Sequence, residues 1–350
     1  MIGDRQPRKE DDRLVTGRTT WTAAVRPAGT LHLVFLRSPL AHGRLLRVDV
    51  AAALESPGVV AAFTGEDLTL GGEGIRTIGR QRDRPNPVLQ PLAVGKVRFA
   101  GEPVVAVVAR TEAAAVDALE AVAVDYDPLP VVGDPAAAPE AGPLVHDTVP
   151  GNVCFEHEHS AGDLAAAFAA AVVVVRRRFA LPRVAPVAME PRSVVAVPDG
   201  DGYTVWSSTQ TPHLVRHELA RATGIPAASL RVVAPDVGGA FGGKVCTYPE
   251  DIVVLEAARR LGRPVAWTAT RSEDLAATAH GRVIEQEVAV AATRDGRMLA
   301  LEVGLRADVG AYLSPVGPGS ALGGVSMYPG IYRFEAYRLT ARGVQASART

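Results

Sequence analysis

Between Leu230 and Pro249 the chain reads LRVVAPDVGGAFGGKVCTYP, and no other stretch restricts the fold as tightly. A β-type run at Leu230, Val232 and Val233 stops at Pro235-Asp236. A loop follows in which Gly238, Gly239, Gly242 and Gly243 surround Ala240 and Phe241 and lead to Lys244. A helix-like segment then starts near Pro249-Glu250. Glycine this dense is needed where backbone must approach something closely, adopt positive φ, or both. Phe241 between such glycines can act as a wedge, with the neighbouring N–H groups facing a ligand. The plainer reading is a strained structural turn.

The spacing from Gly238 to Lys244 matches the first seven positions of a phosphate-binding GxxxxGK loop. That loop needs Ser or Thr next, to hold magnesium, and here the residue is Val245. Its helix should begin at the lysine, so that N–H groups and dipole face the phosphates, but Pro249 delays it by about a turn. No GxGxxG unit and no GxSxG elbow occurs. His157 and His159 fall on one face of a strand, and His213 and His217 on one face of a helix. Neither pair has a third ligand in view, and solvated faces explain both.

The 350 residues predict two or three domains, and the formal net charge of −1 argues against nucleic acid or an anionic membrane surface. No apolar run reaches the ~20 residues that span a bilayer. Cys154 and Cys246 offer neither a CxxC pair nor iron–sulfur ligation, which fits a reducing, cytoplasmic compartment. An extended, charged arm is predicted over 1–19 and a compact α+β unit over 20–133. A linker at 134–150 and a second unit over 151–350 complete the expected organisation. Strands are predicted at 31–36, 59–63, 104–108 and 122–126. Thr111 is placed to cap a helix from Glu112. Residues 71–91 form a glycine- and proline-rich loop. In the second unit, hairpins are expected around Pro198–Gly202 and Arg294–Arg297, and helices at 162–171, from Thr211-Pro212, and at 252–261 with Gly262 as the stop.

Two polar stretches lead toward the glycine loop: Met189-Glu190-Pro191-Arg192, and Ser207 to His213. Gln210 follows a strand and precedes a helix, where a primary amide can donate to one group and accept from another. Beside free loop N–H groups, such an amide suits an oxygen-rich, anionic ligand.

Taken together, RKEDDRLVTGR, LRSPLAHGRL, VRFAGEPVVAVVA, AMEPRSVVAV, WSSTQTPHLVRHELA, VGGAFGGK, the run Tyr248 to Arg282 and DVGAYL resemble, in order, the molybdenum-binding large subunit of the xanthine dehydrogenase, aldehyde oxidase and aerobic carbon monoxide dehydrogenase family. The resemblance implies an α+β chain: an N-terminal α/β hammerhead domain, then the first molybdopterin-binding domain. It implies a molybdenum–molybdopterin cofactor, in the cytosine dinucleotide form in a bacterium, bordered by Gln210, Gly239, Phe241, Gly242 and Gly243. Val245 takes the position of a substrate-contacting glutamate in purine-oxidising members, so an aldehyde, a heterocycle or another small apolar substrate is expected. Ala240 replaces a commoner glycine and adds a methyl near the ligand.

The family hydroxylates carbon with water-derived oxygen and passes electrons through iron–sulfur clusters to FAD. The resemblance assigns those groups to an iron–sulfur small subunit and a FAD-binding medium subunit. It also places the catalytic glutamate and much of the pterin site in a C-terminal half, so no catalytic residue is expected among these 350. The chain is then part of a longer subunit, one chain of a split subunit, or an inactive product. A non-catalytic assembly module is the rival reading, and a GxxxxGK nucleotide binder the third.

Overall fold

Seven consecutive apolar or small residues, Pro103–Ala109, are buried along their whole length, as a strand covered on both faces must be. This strand lies near one side of a seven-stranded sheet in the computed structural model, which describes residues 2–68, 74–75, 87–133, 142–314, 317–324 and 327–349. The strand order is Leu230–Val233, Gly202–Ser207, Ser193–Asp199, Val265–Thr268, Leu31–Arg37, Pro103–Ala109, Val59–Thr64. Strands from both sides of the 134–150 segment therefore share one sheet. Leu31–Arg37 is the seam, parallel to Val265–Thr268 and antiparallel to Pro103–Ala109.

Helix Pro249–Leu261 packs on this sheet and is buried from Pro249 through Ala258. Proline at its first turn and Gly262 in the left-handed conformation at its end mark the expected limits. The Thr111 side chain caps Glu112–Leu119 through the N–H of Ala114. The α+β reading holds, with a hammerhead-type unit and a second unit around the glycine loop. A five-stranded sheet runs Val153–Ala161, Ala336–Val344, Met298–Asp308, Gly281–Ala292, Val173–Val184 and covers a second apolar core around Phe155, Leu301, Val303 and Leu339. A small sheet of Lys96–Val97, Gly43–Asp49 and Ala123–Pro128 completes the N-terminal part.

Several expectations change. The N-terminal arm contains a short helix, Asp11–Val15, whose Arg13 guanidinium donates to Asp236 at 3.1 Å. The charged arm thus meets the segment before the glycine loop through this ion pair, next to the bond from the Asp236 N–H to the carbonyl of Thr20. The valines at 173–175 open a strand, Val173–Val184, that continues beyond them through Pro182 as the edge of its sheet. Helix Arg271–Ala277 and strand Ala336–Val344 were not anticipated. The expected loop at 71–91 falls largely outside the described residues, as does 134–141 of the expected linker.

Where the two units meet, His146 is buried with Nε2 at 2.7 Å from the carbonyl of Ala311 and its ring edge-on to Tyr312. Burial, with Arg98 nearby, pulls its pKa down to about 3. The imidazole is therefore neutral in the fold and charges near pH 6.5 only when unfolded, so its contribution is complete above that pH and shrinks as pH falls toward 3. Between pH 7 and pH 5 the chain should lose about 2 kcal/mol through this group, and His146→Gln should remove that part of the loss. Urea midpoints of both proteins at the two pH values measure it.

Candidate functional site

The strand Gly202–Ser207 ends on Ser208 and Thr209, and helix Pro212–Thr223 starts two residues after Gln210. This crossing is tied to the glycine loop by hydrogen bonds in register. The backbone N–H of Gln210 donates to the carbonyl of Lys244 at 2.9 Å, and the Thr209 hydroxyl reaches the same oxygen at 3.1 Å. The Thr211 hydroxyl donates to the carbonyl of Val245 at 2.7 Å. Gln210 Oε1 accepts from the N–H of Gly242 at 3.2 Å, so the amide meets the loop at the residue after Phe241.

At its tip the loop is a tight turn. Gly243 N–H donates to the carbonyl of Ala240 at 2.9 Å, and both central residues have positive φ, 51° at Phe241 and 93° at Gly242. Gly242 meets this demand at no steric cost, whereas Phe241 is held where an aromatic residue is seldom found. Phe241 is 78% exposed. Such strain persists only where the surroundings fix it, and it clusters at sites of function. Next to the turn, the N–H groups of Gly239, Ala240 and Phe241 find no partner among the described residues. The loop is less rich in free donors than its glycines suggest, because Gly238, Gly242 and Gly243 spend theirs inside the protein.

Glu190 closes the base of the loop. Its Oε2 accepts from Gly238 N–H and from Lys244 Nζ, each at 2.8 Å, binding residues six positions apart into one pinch. Lys244 is 3% exposed and faces this carboxylate, so it is not available to a phosphate. The GxxxxGK spacing has a structural cause here. Glu190→Gln removes the countercharge of a buried lysine and should cost about 3 kcal/mol. Faster amide exchange at Gly238, read by mass spectrometry, would accompany the loss.

Behind the pinch lies a buried charge network that the sequence did not announce. Glu250, in the first turn of its helix, receives Arg192 at 2.9 Å and Arg37 at 2.9 Å. Arg37 also bonds Glu273 at 2.9 Å, and the Arg192 Nε donates to the hydroxyl of Thr278 at 2.9 Å. Burial alone would raise the pKa of Glu250, but Arg192 and Arg37 outweigh it and hold the carboxyl far below its ordinary range. The Arg192 guanidinium sits 3.9 Å from the centre of the Tyr248 ring. Burial pushes the Tyr248 hydroxyl up to about 12, so it stays protonated and donates to the carbonyl of Gly243 at 2.6 Å. Asp251 is pushed up by burial to about 6 and accepts from Ser207 and from Tyr248 N–H.

Phe241, Gly242 and Gly243 form one side of a cleft of 410 Å³. Val184, Pro186 and Val187 line it too, with Pro186 against Gly243, as do His280, Arg282 and Cys246. Gln210 is not among the lining residues and meets the turn through the Gly242 N–H. Val245 is half-buried and outside this lining, which is reached at that point by Cys246. Arg282 and Val283 have φ of 75° and 49°, a second strained segment on the same cleft. Two clefts of 480 and 600 Å³ lie on the outer face of the five-stranded sheet, amid salt-bridged Arg and Glu. They contain none of the strained backbone. His157 and His159, on that sheet, and His213 and His217, on their helix, are exposed, and among the described residues no third ligand lies beside either pair.

Three adjacent unpaired N–H groups, an open Cα face on Gly242 (where an added Cβ would meet nothing within 4 Å) and an amide held against the turn fit an oxygen-rich cofactor approached through backbone. The fold is that of a molybdopterin cofactor-binding domain joined to an a/b hammerhead domain. The chain belongs to the xanthine dehydrogenase, aldehyde oxidase and carbon monoxide dehydrogenase family: the molybdopterin cofactor-binding domain matches residues 145–348. The a/b hammerhead domain of aldehyde oxidase and xanthine dehydrogenase matches residues 16–130.

Among its relatives is the carbon monoxide dehydrogenase large chain of Hydrogenophaga pseudoflava, 38% identical over 331 residues, covering 87% of this chain and 39% of that protein. Another is the nicotine 6-hydroxylase large subunit of Paenarthrobacter nicotinovorans, 36% identical over 90% of this chain and 39% of its own length. The crystal structure of quinoline 2-oxidoreductase from Pseudomonas putida 86 superposes with a TM-score of 0.95 at 36% identity, over 99% of this chain and 45% of that one. The chain spans about two fifths of the length of the curated relatives it matches.

Proposed function

We propose that this chain supplies one wall of the molybdopterin site of a molybdenum hydroxylase that oxidises an aldehyde, a heterocycle or a similar small substrate. The observation that carries the reading is the Phe241–Gly242 turn, strained, exposed and held by Gln210 beside three unpaired N–H groups. When bound, the cofactor supplies a two-electron redox centre, and the oxygen given to the substrate carbon comes from water. The residues of this chain position and polarise. Gln210 fixes Gly242 and points its amide at the same region, and Phe241 presents a ring and a free N–H. The cytosine dinucleotide form of the cofactor, and iron–sulfur and FAD groups on partner subunits, belong to the same proposal.

No residue here is assigned the role of base. That group, and the opposite wall, are supplied by the remaining part of a large subunit, in keeping with the two-fifths coverage of the relatives. Cys154 and Cys246 are both buried and form no disulfide, which favours a reducing, cytoplasmic setting. Molybdenum measured by plasma mass spectrometry tests the reading. The isolated chain should retain far less than one equivalent, and a complex with the rest of a large subunit about one. Stoichiometric, tightly held molybdenum in the isolated 350 residues would contradict an incomplete site. ATP binding lost on Lys244→Ala would revive a nucleotide site.

A further inference from the structure

Strand Val173–Val184 is the edge of the five-stranded sheet, paired on one side with Gly281–Ala292 and, among the described residues, with nothing on the other. It is exposed almost throughout, yet it is rich in valine and carries Phe179 and Leu181. Natural proteins blunt long apolar edges, because unpaired N–H and C=O groups recruit further strands. Its register places Val175 beside Val290, and Leu181 beside buried Ile284. The face of the edge that carries Val175, Phe179 and Leu181 thus continues the second apolar core into solvent, with Arg177 beside Val288 as its one charged position.

From Val184 the apolar strip runs into the candidate cleft. Val184, Pro186 and Val187 line it together with Phe241, and Met189, two residues on, is 90% exposed. Whatever covers the edge strand therefore also reaches the open side of the cofactor wall. We propose that Val173–Val184 accepts a β-strand from the portion of the large subunit that this chain does not span, so that sheet completion closes the cleft. This rests on the reading of the chain as part of a large subunit.

Charge selects the occupant. Arg176, Arg177 and Arg178 sit at the middle of the strand. A two-fold antiparallel pairing with a second copy would bring two such triplets together, and like charges across a strand pair are destabilising. The incoming strand instead carries apolar residues toward the face of Val175, Phe179 and Leu181 and at least one carboxylate opposite the arginines. Arg178 already pairs with Glu285 across the sheet, and Arg176 stacks on Phe168.

The test uses the whole 350-residue chain. As probe it takes the portion of the Hydrogenophaga pseudoflava carbon monoxide dehydrogenase large chain that the match leaves uncovered. The two are co-expressed, and amide exchange is followed by mass spectrometry. The expected result is a complex in which residues 173–181 exchange slowly, against fast exchange in the chain alone. Phe179→Lys, at an exposed position, should weaken the complex about tenfold or more without changing the melting of the chain itself. A complex with no protection at 173–181, no complex at all, or a chain that dimerises and protects that strand unaided would each overturn the proposal. Molybdenum content separates the two readings. A metal-free complex with the strand protected overturns the cofactor role alone, and a molybdenum-loaded complex with the strand unprotected overturns the docking alone.

Discussion

Glu250→Gln is expected to cost about 3–5 kcal/mol, the largest effect of any single isosteric change near the loop. The glutamine has the shape of the carboxylate and can still accept one hydrogen bond. What it loses is the charge that two buried guanidinium groups, Arg192 and Arg37, share at 2.9 Å each. Arg37 keeps Glu273, whereas for Arg192 the nearest remaining carboxylate is Asp274 at 4.0 Å. Arg192 is left buried and poorly compensated. Removing it as well, as Arg192→Met with Glu250→Gln, should cost clearly less than the sum of the two single changes, because the second removal relieves the first. Additive losses in urea titrations would sink this account.

The same substitution has a local signature. Arg192 stacks on Tyr248, and Tyr248 holds the carbonyl of Gly243, so loosening the arginine should speed amide exchange from Gly242 to Val245. The pH dependence follows from the depressed pKa of Glu250. Its contribution is complete above its ordinary value of 4.5 and is lost only as pH falls through the lower folded value. The stability gap between wild type and variant should therefore stay constant from pH 5 to pH 8.

Much of this was legible in the sequence where local rules act alone. The buried strand at 103–109, the Thr111 cap, the hairpins and the Pro249-to-Gly262 helix follow from periodicity, capping and turn chemistry. The positive φ behind Gly239 and Gly242 could be anticipated, since only glycine takes it freely. That Phe241 shares it could not, because strain in one residue is set by the bonds of its neighbours. The seven-stranded sheet was also hidden: the parallel pairing of Leu31–Arg37 with Val265–Thr268 joins segments more than two hundred residues apart. The Lys244–Glu190 pinch and the Arg192–Glu250–Arg37 chain are likewise long-range, and charged residues in sequence look the same exposed or buried. MEPR and YPED could be seen as polar punctuation, but not as the two ends of one buried network. The full length of Val173–Val184 was hidden because three arginines and Pro182 interrupt its apolar pattern, although an edge strand tolerates both.

Gln210→Ala should separate function from folding. The side chain is exposed, and within the chain it makes one bond, from Gly242 N–H to Oε1 at 3.2 Å, while the backbone bond from Gln210 to Lys244 survives substitution. The cost in stability should then be about 1 kcal/mol. In a complex reconstituted with the rest of a large subunit, turnover should fall about 10²-fold, the scale for loss of one preorganised donor where charge develops. Equal losses in both would reduce Gln210 to a loop brace. Gln210→Glu divides the two roles further: it keeps an acceptor for Gly242 N–H but replaces the amide donor with a negative charge. If the amide donates to the cofactor region, the glutamate variant keeps the loop ordered by amide exchange, and its turnover is as low as that of alanine. If bracing is the whole contribution, the glutamate variant recovers turnover along with loop order.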